Sequence, residues 1–555
     1  MSSDAAVPVG IVGAGPVGLV TAARLASAGI PSVILELEPA LRKQGSKACL
    51  IQGDVLEVLD KFGCARQIGR EGVTWTVART YVRDREIRRA EYPRGLGYGP
   101  FVNISQYRIE QLLVRHVEAD PLCRILWGHA VTGVRQDAGA VTLEVETPHG
   151  PQDFRFDYAV ACDGVRSPLR TMTGVAWTGY THKDRFLITD LKVELPLAKE
   201  RHFHYDPGSN PGRQLVMHPQ PDEIWRIDWQ LPPDADIEAE RASGAFDRRV
   251  RAVIGDIPYE VDWLSTYRFH QRVVERFRLG RLFFAGDAAH SLPPYGSRGM
   301  NSGIQDADNL AWKLAMKLHG EADDALLDTY HEERYPAALE NLRITEATIR
   351  FMVPPNRLRR LSRRVLLRLS SRLPSARDRV NSGKMAEPYI YSASSIVDCQ
   401  ERHPLLGRFA PDAAIRADGP TRLRELFGHG FTGLCFFTGR RYTGDAGARG
   451  AVDFALRALA AAPPSAAMVL VFDSPDTVAG LGELPASITA LADPDGKLRQ
   501  TYRADRPLCF AVRPDGHLGA VVDHLEHAEP MSFAASVARC SASDRACLPH
   551  YADKD

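Results

Sequence analysis

The stretch that decides the fold is GRLFFAGDAAHSLPPYGSRGMNSGIQDADNLAWKL, Gly280–Leu314. It predicts an apolar strand over Arg281–Ala285, then a loop shaped by prolines and glycines, then a long helix from Met300. Asp287 follows the predicted strand, where its carboxylate faces a ligand hydroxyl. The loop lets the backbone approach a flat ligand closely, and the free N–H groups of the helix start attract negative charge. The stretch therefore predicts a cofactor site.

A second cofactor signal lies at the amino terminus, in VPVGIVGAGPVGLVTAARLASAGIPSVILELE. It predicts a strand, a glycine turn, a helix and a second strand. Gly13, Gly15 and Gly18 form GxGxxG, in which the glycines allow a tight turn, a close approach to a pyrophosphate and close helix packing. Glu36 ends the second strand, 18 residues after Gly18. An acid at this offset accepts the ribose hydroxyls of a dinucleotide.

A third motif is YAVACDGVRSPLR, Tyr158–Arg170, in which an apolar strand breaks at Asp163 and Gly164. GAGPVG, CDGVRSPLR and AGDAAH with PPYGSRGMN follow one another in the order and at the intervals of a known family. The chain resembles the single-component FAD-dependent aromatic hydroxylases, which include para-hydroxybenzoate hydroxylase and phenol hydroxylase. The resemblance covers nearly the whole chain.

The resemblance implies an FAD site built from these motifs. In that family the acid of the second strand binds the AMP ribose, which is Glu36 here. The middle motif, Asp163 with Gly164, lies between FAD and the nicotinamide cofactor, and Asp287 binds the ribityl chain. The helix start at Gly299, Met300 and Asn301 is expected to stabilise negative charge on the flavin.

Two further FAD contacts are implied by the same resemblance. ISQYRIEQLL, Ile104–Leu113, resembles the helix start at which a glutamine contacts FAD, so Gln106 is expected to do so, with Arg108 as a helper. The family has an arginine after the second strand, and Lys47 takes that place here. A point charge then replaces a bidentate fork.

The resemblance also implies the reaction. NADPH or NADH reduces FAD, dioxygen adds to give a flavin C4a-hydroperoxide, and this hydroxylates an electron-rich ring. In the family's PP turn a backbone carbonyl faces the substrate hydroxyl, which corresponds to Pro294, with Tyr295 at the edge of the pocket. The protein must position the ring, polarise the phenol and exclude water.

The base for the phenol is not fixed by the sequence. Side chains able to hydrogen-bond a phenol, including the expected catalytic residues Arg226 and Asp228, are Gln52, His204, Tyr205, Arg226, Asp228 and Tyr295. Trp225, Ile227 and Trp229 alternate with Arg226 and Asp228 in one strand, and which face meets substrate is left open. His204 and Tyr205 are expected to pack on an edge strand, and His290 to order its loop.

The predicted fold class is α/β, with a Rossmann-like FAD-binding domain, an inserted mixed β-sheet substrate domain and a C-terminal thioredoxin-like domain. The predicted boundaries are 1–178 for the first FAD part, with 72–100 adding to the substrate sheet, 179–279 for the substrate domain, 280–390 for the second FAD part with linker helices, and 391–555 for the tail. The tail resembles that of phenol hydroxylase at Asp493, Gly496 and Tyr502 and at Arg513–Gly516. It lacks C-x-x-C, so an architectural or dimerising role is expected.

Composition limits the possible partners. Lysine plus arginine equals aspartate plus glutamate at 69 each among 555 residues, so no net charge favours nucleic acid or an anionic membrane. Nine cysteines without a C-x-x-C pair favour reduced thiols in the cytoplasm over disulfides or a metal site. A homodimer acting on a small aromatic molecule with O2 is expected, with no membrane span.

One segment is basic and amphipathic, NRLRRLSRRVLLRLSSRL, Asn356–Leu373. Leu358, Leu361, Val365 and Leu369 share one helical stripe, with arginines on the other sides. Such a helix binds nucleic acid or a membrane surface in some proteins. The expectation favoured here is a helix packed on the FAD domain with a solvated basic face.

Two other function classes stay open. A flavoprotein oxidase or dehydrogenase would use the same FAD motifs without a hydroxylated product. A non-catalytic FAD-binding interaction protein would act through its tail, although the intact motifs and PP loop disfavour it.

Overall fold

The computed structural model describes residues 7–42, 48–354, 356–370, 372–377, 380, 384–397, 403–415, 420–439, 442, 444–523, 525 and 537. The strands before residue 170 are β1 Val9–Val12, β2 Ser32–Glu36, β3 Leu50–Gln52, β4 Val73–Trp75, β5 Val77–Val82, β6 Arg85–Glu91, β7 Phe101–Asn103, β8 Cys123–Trp127, β9 Ala130–Gln136, β10 Val141–Thr147, β11 Gly150–Phe156 and β12 Tyr158–Ala161. The later strands are β13 Trp177–Lys192, β14 Arg201–Tyr205, β15 Gln214–Pro219, β16 Ile224–Leu231, β17 Glu260–Val274, β18 Arg278–Leu279, β19 Leu282–Phe284, β20 His290–Ser291, β21 Thr432–Phe437, β22 Ala467–Phe472, β23 Ile488–Ala492, β24 Leu508–Val512 and β25 Leu518–Asp523.

The helices alternate with these strands. They are α1 Pro16–Ser27, α2 Gly53–Asp60, α3 Ala65–Glu71, α4 Gln106–Ala119, α5 Pro168–Thr173, α6 Ile237–Ala242, α7 Ala245–Ile254, α8 Arg298–Leu318, α9 Ala325–Met352, α10 Arg357–Ser370, α11 Pro374–Arg377, α12 Asp445–Ala460, α13 Pro475–Ala479 and α14 Lys497–Tyr502. Short 3-10 turns lie at Gly286–Ala288 and Leu423–Leu426. No described helix is both long and apolar enough to cross a membrane.

The chain forms two compact units. The first comprises residues 1–23, 31–307 and 338–386, and the second comprises 24–30, 308–337 and 387–555. The domain boundaries derived from the sequence stay a prediction.

The first unit contains a six-stranded sheet in the order β18-β19-β12-β1-β2-β8. β19, β12, β1, β2 and β8 are parallel, and β18 pairs antiparallel with β19. The strands β1, β12 and β19 are short and buried, as expected for a parallel sheet covered on both faces. The carboxyl ends of the parallel strands share one edge, so the predicted Rossmann-like sheet is confirmed.

A second, eight-stranded sheet has the order β20-β17-β13-β16-β15-β14-β5-β6. It is antiparallel except for the β14–β5 pair, which confirms the inserted mixed sheet. The segment 72–100 contributes β5 and β6 to it, as predicted, whereas β4 pairs with β7 in a separate three-stranded sheet with β3.

Two helices cover one face of the eight-stranded sheet. Trp225, Ile227 and Trp229 of β16 are buried in one apolar cluster with residues of α6 and α7. Because strand side chains alternate, Arg226 and Asp228 lie on the opposite face. The structure thus shows which face of β16 packs on helices, while the face that meets substrate stays a prediction. The face that carries Arg226 and Asp228 is called the inner face below.

The second unit contains a five-stranded sheet in the order β23-β22-β21-β24-β25. β21, β22 and β23 are parallel, whereas β24 and β25 are antiparallel. A buried ionic network lies beside it, in which Arg513 pairs with Glu333 at 2.6 Å and with Asp515 at 2.5 Å. Lys313 also pairs with Glu333, at 2.7 Å. The likeness of this unit to thioredoxin stays a prediction.

Candidate active site

Four predicted cofactor residues follow the carboxyl ends of neighbouring parallel strands. Gly13 follows β1, Glu36 ends β2, Asp163 follows β12, and Asp287 follows β19. In open parallel sheets, ligands bind outside this edge. Segments distant in the sequence therefore meet along one line, in the spatial order Glu36, Gly13, Asp163, Asp287.

The three glycines of the first motif have three different environments. Gly13 has a φ of +103°, and a Cβ added to it would lie 2.6 Å from the carbonyl oxygen of Cys162. A Cβ on Gly18 would lie 2.0 Å from the carbonyl oxygen of Gly13. A Cβ on Gly15 would have no protein atom within 4 Å. Gly13 and Gly18 are thus required by packing, whereas Gly15 leaves space next to the turn.

Glu36 ties the second strand to the glycine turn. One carboxylate oxygen accepts a hydrogen bond from the N–H of Ala14 at 2.6 Å, and the other accepts from the N–H of Glu38 at 2.9 Å. The carboxylate is half-buried and keeps unused lone pairs for ribose hydroxyls.

Asp163 starts the turn before α5. One carboxylate oxygen accepts the N–H of Leu169 at 3.1 Å, and the other is buried without a hydrogen-bond partner. Burial raises the pKa of this carboxyl, whereas the hydrogen bond from Ser167 lowers it by a smaller amount. Gly164 has a φ of +76°, and a Cβ there would meet no atom within 4 Å. Asp163 and Gly164 therefore place a carboxylate oxygen that has no hydrogen-bond partner next to open space.

The Asp287 carboxylate lies close to the start of α8. The nearest atom to a Cβ built on Gly299 is the Oδ1 of Asp287, at 4.0 Å. Close packing makes this approach possible, because a Cβ on Gly303 would lie 2.7 Å from Val17 and 3.0 Å from the Cα of Gly286. The carboxylate and the first turn of the helix thus face the same space.

Asn301 fixes the first turn of α8. Its Oδ1 accepts the N–H of Gln52 at 3.0 Å, and its Nδ2 donates to the carbonyls of Leu50 and Ser297 at 3.0 and 2.7 Å. Asn301 is fully buried, so it acts as a positioning residue that joins the helix, its preceding loop and β3. Met300 is half-buried beside it.

Arg298 anchors the same helix from its other side. Its guanidinium donates to the carbonyls of Lys384 and Met385 at 3.0 and 3.2 Å and to the side chain of Asn341. Sequence reasoning missed this residue, although its position between two glycines of the PPYGSRGMN motif was a signal.

Three further residues were predicted to contact FAD, and the structure describes two of them, Gln106 and Arg108. Gln106 is the first residue of α4, and it accepts the N–H of Ala48 at 3.3 Å and donates to Glu110 at 2.8 Å. Arg108 forms two hydrogen bonds with Glu71, at 2.6 and 2.8 Å, so two of its guanidinium nitrogens bind that carboxylate. Lys47 lies outside the described residues.

These residues fit FAD. Gly15, Gly164 and Gly299 line the strand-end edge at points where an added Cβ meets open space or only Asp287. The half-buried carboxylate of Glu36 lies at the end expected for the ribose, and the first turn of α8 at the end expected for the flavin. The buried Asp163 oxygen without a partner is a further polar group that a ligand would satisfy.

The inner face of the eight-stranded sheet carries buried charges. Arg226 forms a bidentate pair with Asp190, with both nitrogen–oxygen distances at 2.8 Å, and both residues are buried. Gln220 donates to the same carboxylate at 3.1 Å. Arg226 was predicted to be catalytic. The structure shows that its guanidinium forms an ion pair with Asp190, and its catalytic role stays a prediction.

Asp228 is the exceptional group on this face. It is half-buried, and its Oδ1 is buried without a hydrogen-bond partner. Burial raises the pKa of Asp228 to about 7, while Arg226 and Arg201 favour the ionised form and Asp190 opposes it. A carboxylate with a pKa near neutrality and a free acceptor atom is suited to accept a proton.

An aromatic cluster adjoins this carboxylate. Tyr295 is buried, with ring centroids 5.6 Å from Phe269 and 6.2 Å from Phe186 in edge-to-face geometry, and its hydroxyl accepts a hydrogen bond from Gln214 at 2.7 Å. Tyr267 packs on Phe269 at 4.8 Å. Burial raises the pKa of Tyr267, and the nearby groups of Asp228 and Tyr295 raise it further.

Strand β3 connects the inner face to the start of α8. At one end, the thiol of Cys49, the residue before β3, is buried near the charges of Arg226, Asp228 and Asp190. At the other end, Gln52 contacts Asn301 at 3.0 Å. Three strand residues span about 10 Å. Strand β3 therefore runs between the surroundings of the buried charges and the first turn of α8.

The other candidates for a phenol contact have different roles. His204 stacks on Tyr81 with centroids 4.4 Å apart, and burial lowers its pKa to about 4. Tyr205 lies in the apolar cluster with Tyr295. His290 bonds Asp306 at 2.7 Å, and the same carboxylate accepts the Gly286 N–H at 3.0 Å.

The Pro294 carbonyl, predicted to face a substrate hydroxyl, closes a turn. It accepts the N–H of Ser297 at 3.0 Å, which leaves one lone pair for another contact. The ring of Pro294 is exposed, whereas Pro293 and Tyr295 on either side are buried.

Sequence reasoning missed two charges of the inner face, Asp190 and Arg201. Both are buried, and burial lowers the pKa of Arg201. Asp190 interrupts the apolar run RFLITDLKVEL, and a lone acid in a predicted strand was a usable signal. Only the pairing of β13 with β16 places it opposite Arg226.

Comparisons with known proteins agree with this geometry. Residues 6–345 match the family described as FAD binding domain. The 3-(3-hydroxy-phenyl)propionate/3-hydroxycinnamic acid hydroxylase of Mycolicibacterium smegmatis is 29% identical over 524 residues, covering 93% of this chain and 90% of that protein. Anhydrotetracycline monooxygenase of Streptomyces rimosus is 32% identical over 455 residues, covering 77% of this chain and 85% of that protein.

A solved structure shares the fold along almost the whole chain. The flavin-dependent monooxygenase PieE, in complex with FAD and substrate, has a TM-score of 0.78 at 22% identity and covers 97% of this chain and 100% of its own. The family match spans more than half of the chain, and a relative above 30% identity aligns with more than two thirds of it. The chain therefore belongs to the FAD-binding-domain family of flavin-dependent aromatic monooxygenases.

Proposed function

We propose that this FAD-dependent hydroxylase acts on a phenol and that Asp228 accepts the proton of the phenolic hydroxyl. The observation that carries this proposal is the half-buried Asp228 carboxylate, which has an unpartnered oxygen and a pKa of about 7. Bound FAD supplies the redox chemistry, using electrons from NADPH or NADH and dioxygen.

Different side chains accept the proton, exclude water and stabilise negative charge. A carboxylate with a pKa near 7 is a stronger base than an ordinary aspartate, so it is better matched to a phenol with a pKa near 10. Tyr295, Phe186 and Phe269 form an apolar wall that excludes water and packs on an aromatic ring. Asn301 and Arg298 hold the first turn of α8, whose free N–H groups stabilise negative charge.

The charges of the inner face support an uncharged phenol as the substrate class. Among the described residues named on this face, Arg201 and Arg226 balance Asp190 and ionised Asp228. A carboxylate on the substrate would find no excess positive charge there, and burying it would be costly. We therefore expect a neutral phenol to be preferred over a phenol that carries a carboxylate.

The test is a substrate panel with purified holoenzyme. Nicotinamide oxidation and product mass are measured with a neutral phenol, its O-methyl ether, and 3-(3-hydroxyphenyl)propionate. The expected result is an added oxygen atom with the neutral phenol, little with the acid and none with the ether. Equal hydroxylation of the ether would refute Asp228 as the phenol base, and a preference for the acid would refute the substrate class.

Several features stay proposals. They are the use of dioxygen, a homodimeric state and a cytoplasmic location. The predicted cofactor roles of Glu36, Gln106, Asp163, Asp287 and the first turn of α8 are also proposals, which their positions support.

A further inference from the structure

Helix α10, Arg357–Ser370, presents an apolar stripe to the solvent. The fractional exposures of its side chains are 75% for Leu358, 58% for Leu361, 46% for Val365 and 42% for Leu369. Spacings of three, four and four residues place them on one side of the helix. The helix was expected to pack on the FAD domain with a solvated face, and the solvated face is the one that carries this stripe.

The opposite side of α10 makes the packing contacts. Leu367 and Ser370 are buried, and Leu366 is half-buried. Leu367 belongs to the apolar cluster that contains Tyr295, Phe203 and Met352. The helix is therefore anchored through one side, and its more regular apolar stripe faces outward.

The charge of α10 indicates what covers the stripe. Six of its 14 residues are arginines and none is acidic, although the chain as a whole has no net charge. Arg357, Arg364 and Arg368 are exposed and lie along one border of the stripe. An apolar stripe bordered by arginines is complementary to a surface that has anionic groups above an apolar interior.

Two other occupants fit this surface less well. In a symmetric dimer formed through α10, two copies of the stripe would bring the arginines of both helices together, which is electrostatically unfavourable. Nucleic acid would pair with the arginines but leave the leucines in water. Both occupants remain distinguishable outcomes of the test below.

We propose that α10 docks this enzyme on an anionic lipid surface, with Leu358, Leu361, Val365 and Leu369 inserted among the acyl chains and the arginines at the lipid phosphates. Docking therefore places the lipid on the side of α10 opposite Leu367, which packs in the apolar cluster that also contains Tyr295. This inference does not rest on the phenol proposal.

The test is co-sedimentation of the full-length holoenzyme with vesicles. Phosphatidylcholine vesicles are compared with vesicles that also contain phosphatidylglycerol. The expected result is binding only to the anionic vesicles, weakened by salt. Absence of binding to phosphatidylglycerol vesicles, or equal binding to both kinds, would overturn the proposal.

Matched variants separate charge from apolar contact. Each arginine near an anionic surface strengthens binding about fivefold, so Arg364→Gln with Arg368→Gln should weaken it roughly 25-fold. Arg66→Gln with Arg70→Gln is the control, because these arginines have the same spacing on α3. Equal effects of the two pairs would overturn the proposal.

A second pair of variants tests the apolar contribution to vesicle binding. Leu361→Ser with Val365→Ser should weaken vesicle binding about tenfold or more. Leu339→Ser with Leu456→Ser is the control, since these leucines are 41% and 43% exposed on other helices. Circular dichroism and FAD content check that every variant is folded.

The same variants identify the alternative occupants. If the Leu361→Ser, Val365→Ser protein changes from dimer to monomer in light scattering, the stripe is a subunit interface and the proposal is wrong. If the arginine pair abolishes binding to duplex DNA while vesicle binding is absent, the surface binds nucleic acid instead.

Discussion

Replacing Asp228 by asparagine should make the protein more stable and much less active. The carboxyl pKa rises from 3.8 to about 7, which is about three units. One unit corresponds to about 1.4 kcal/mol, so keeping the charge at high pH costs about 4 kcal/mol of folding free energy. Because the group is half-buried and partly screened by water, we expect Asp228→Asn to recover about 2 to 4 kcal/mol.

The sign follows from proton linkage. Between about pH 4 and pH 7 the folded state holds a proton on Asp228 that the unfolded state releases, so stability falls as pH rises. The cost is absent below about pH 4, grows up to about pH 7 and is constant above it. The variant should therefore gain more over the natural protein at about pH 8 than at about pH 5.

The assay pairs thermal unfolding of the holoenzyme at about pH 5 and pH 8 with kcat/KM for phenol hydroxylation. Loss of a positioned base should lower kcat/KM about 100-fold or more, and the natural enzyme should lose activity below an apparent pKa near 7. Asp234→Asn, which changes an exposed carboxylate, is the control. A variant whose gain in stability is no larger at the higher pH, or one that keeps the natural pH profile, would contradict the reasoning.

Three further predictions concern the cofactor turn and the buried ion pairs. Gly15→Ala should leave the free energy of unfolding unchanged but weaken FAD binding roughly tenfold or more in a flavin fluorescence titration. Gly18→Ala should instead lower the free energy of unfolding by about 3 kcal/mol, because its Cβ would lie 2.0 Å from a backbone oxygen. Arg226→Gln should cost about 3 to 5 kcal/mol in denaturant unfolding, because it leaves Asp190 charged and buried, and a cost near zero would contradict the bidentate pair. Arg513→Met should lower the unfolding temperature of the second unit, because Glu333 and Asp515 lose their shared partner, and a double change with Glu333→Gln should recover part of the loss.

The sequence predicted the local structure around the proposed cofactor site. A glycine turn, a strand end and a helix start each depend on a few consecutive residues, so the strand-end positions of Gly13, Asp163 and Asp287 could be predicted from local patterns. Their contacts with FAD stay predictions. Alternation also predicted the strands of the inserted sheet, whereas its mixed character was implied by the family resemblance. The segment 72–100 contributes β5 and β6 to that sheet as predicted, but the pairing of β4 with β7 was not predicted, because strand partners are set by distant pairing.

The inner face was much less predictable. Asp228 was one of several polar residues, and nothing local distinguished it from His204 or Tyr205. Its pKa is raised by burial and by Asp190 and is lowered less by Arg226 and Arg201, and these three residues come from three strands. For the same reason Arg226 was expected to contact substrate, whereas its partner is Asp190.

The sequence by itself determined the cofactor class, the strand-end positions of the residues proposed to bind the cofactor, and the two-sided pattern of β16. These properties follow from backbone geometry and side-chain periodicity, which act over short stretches of chain. Tertiary structure alone decided which face of β16 carries the buried charges, which carboxylate lacks a partner, and that the apolar stripe of α10 faces outward. Burial and charge environment depend on residues distant in the sequence, so no local pattern encodes them.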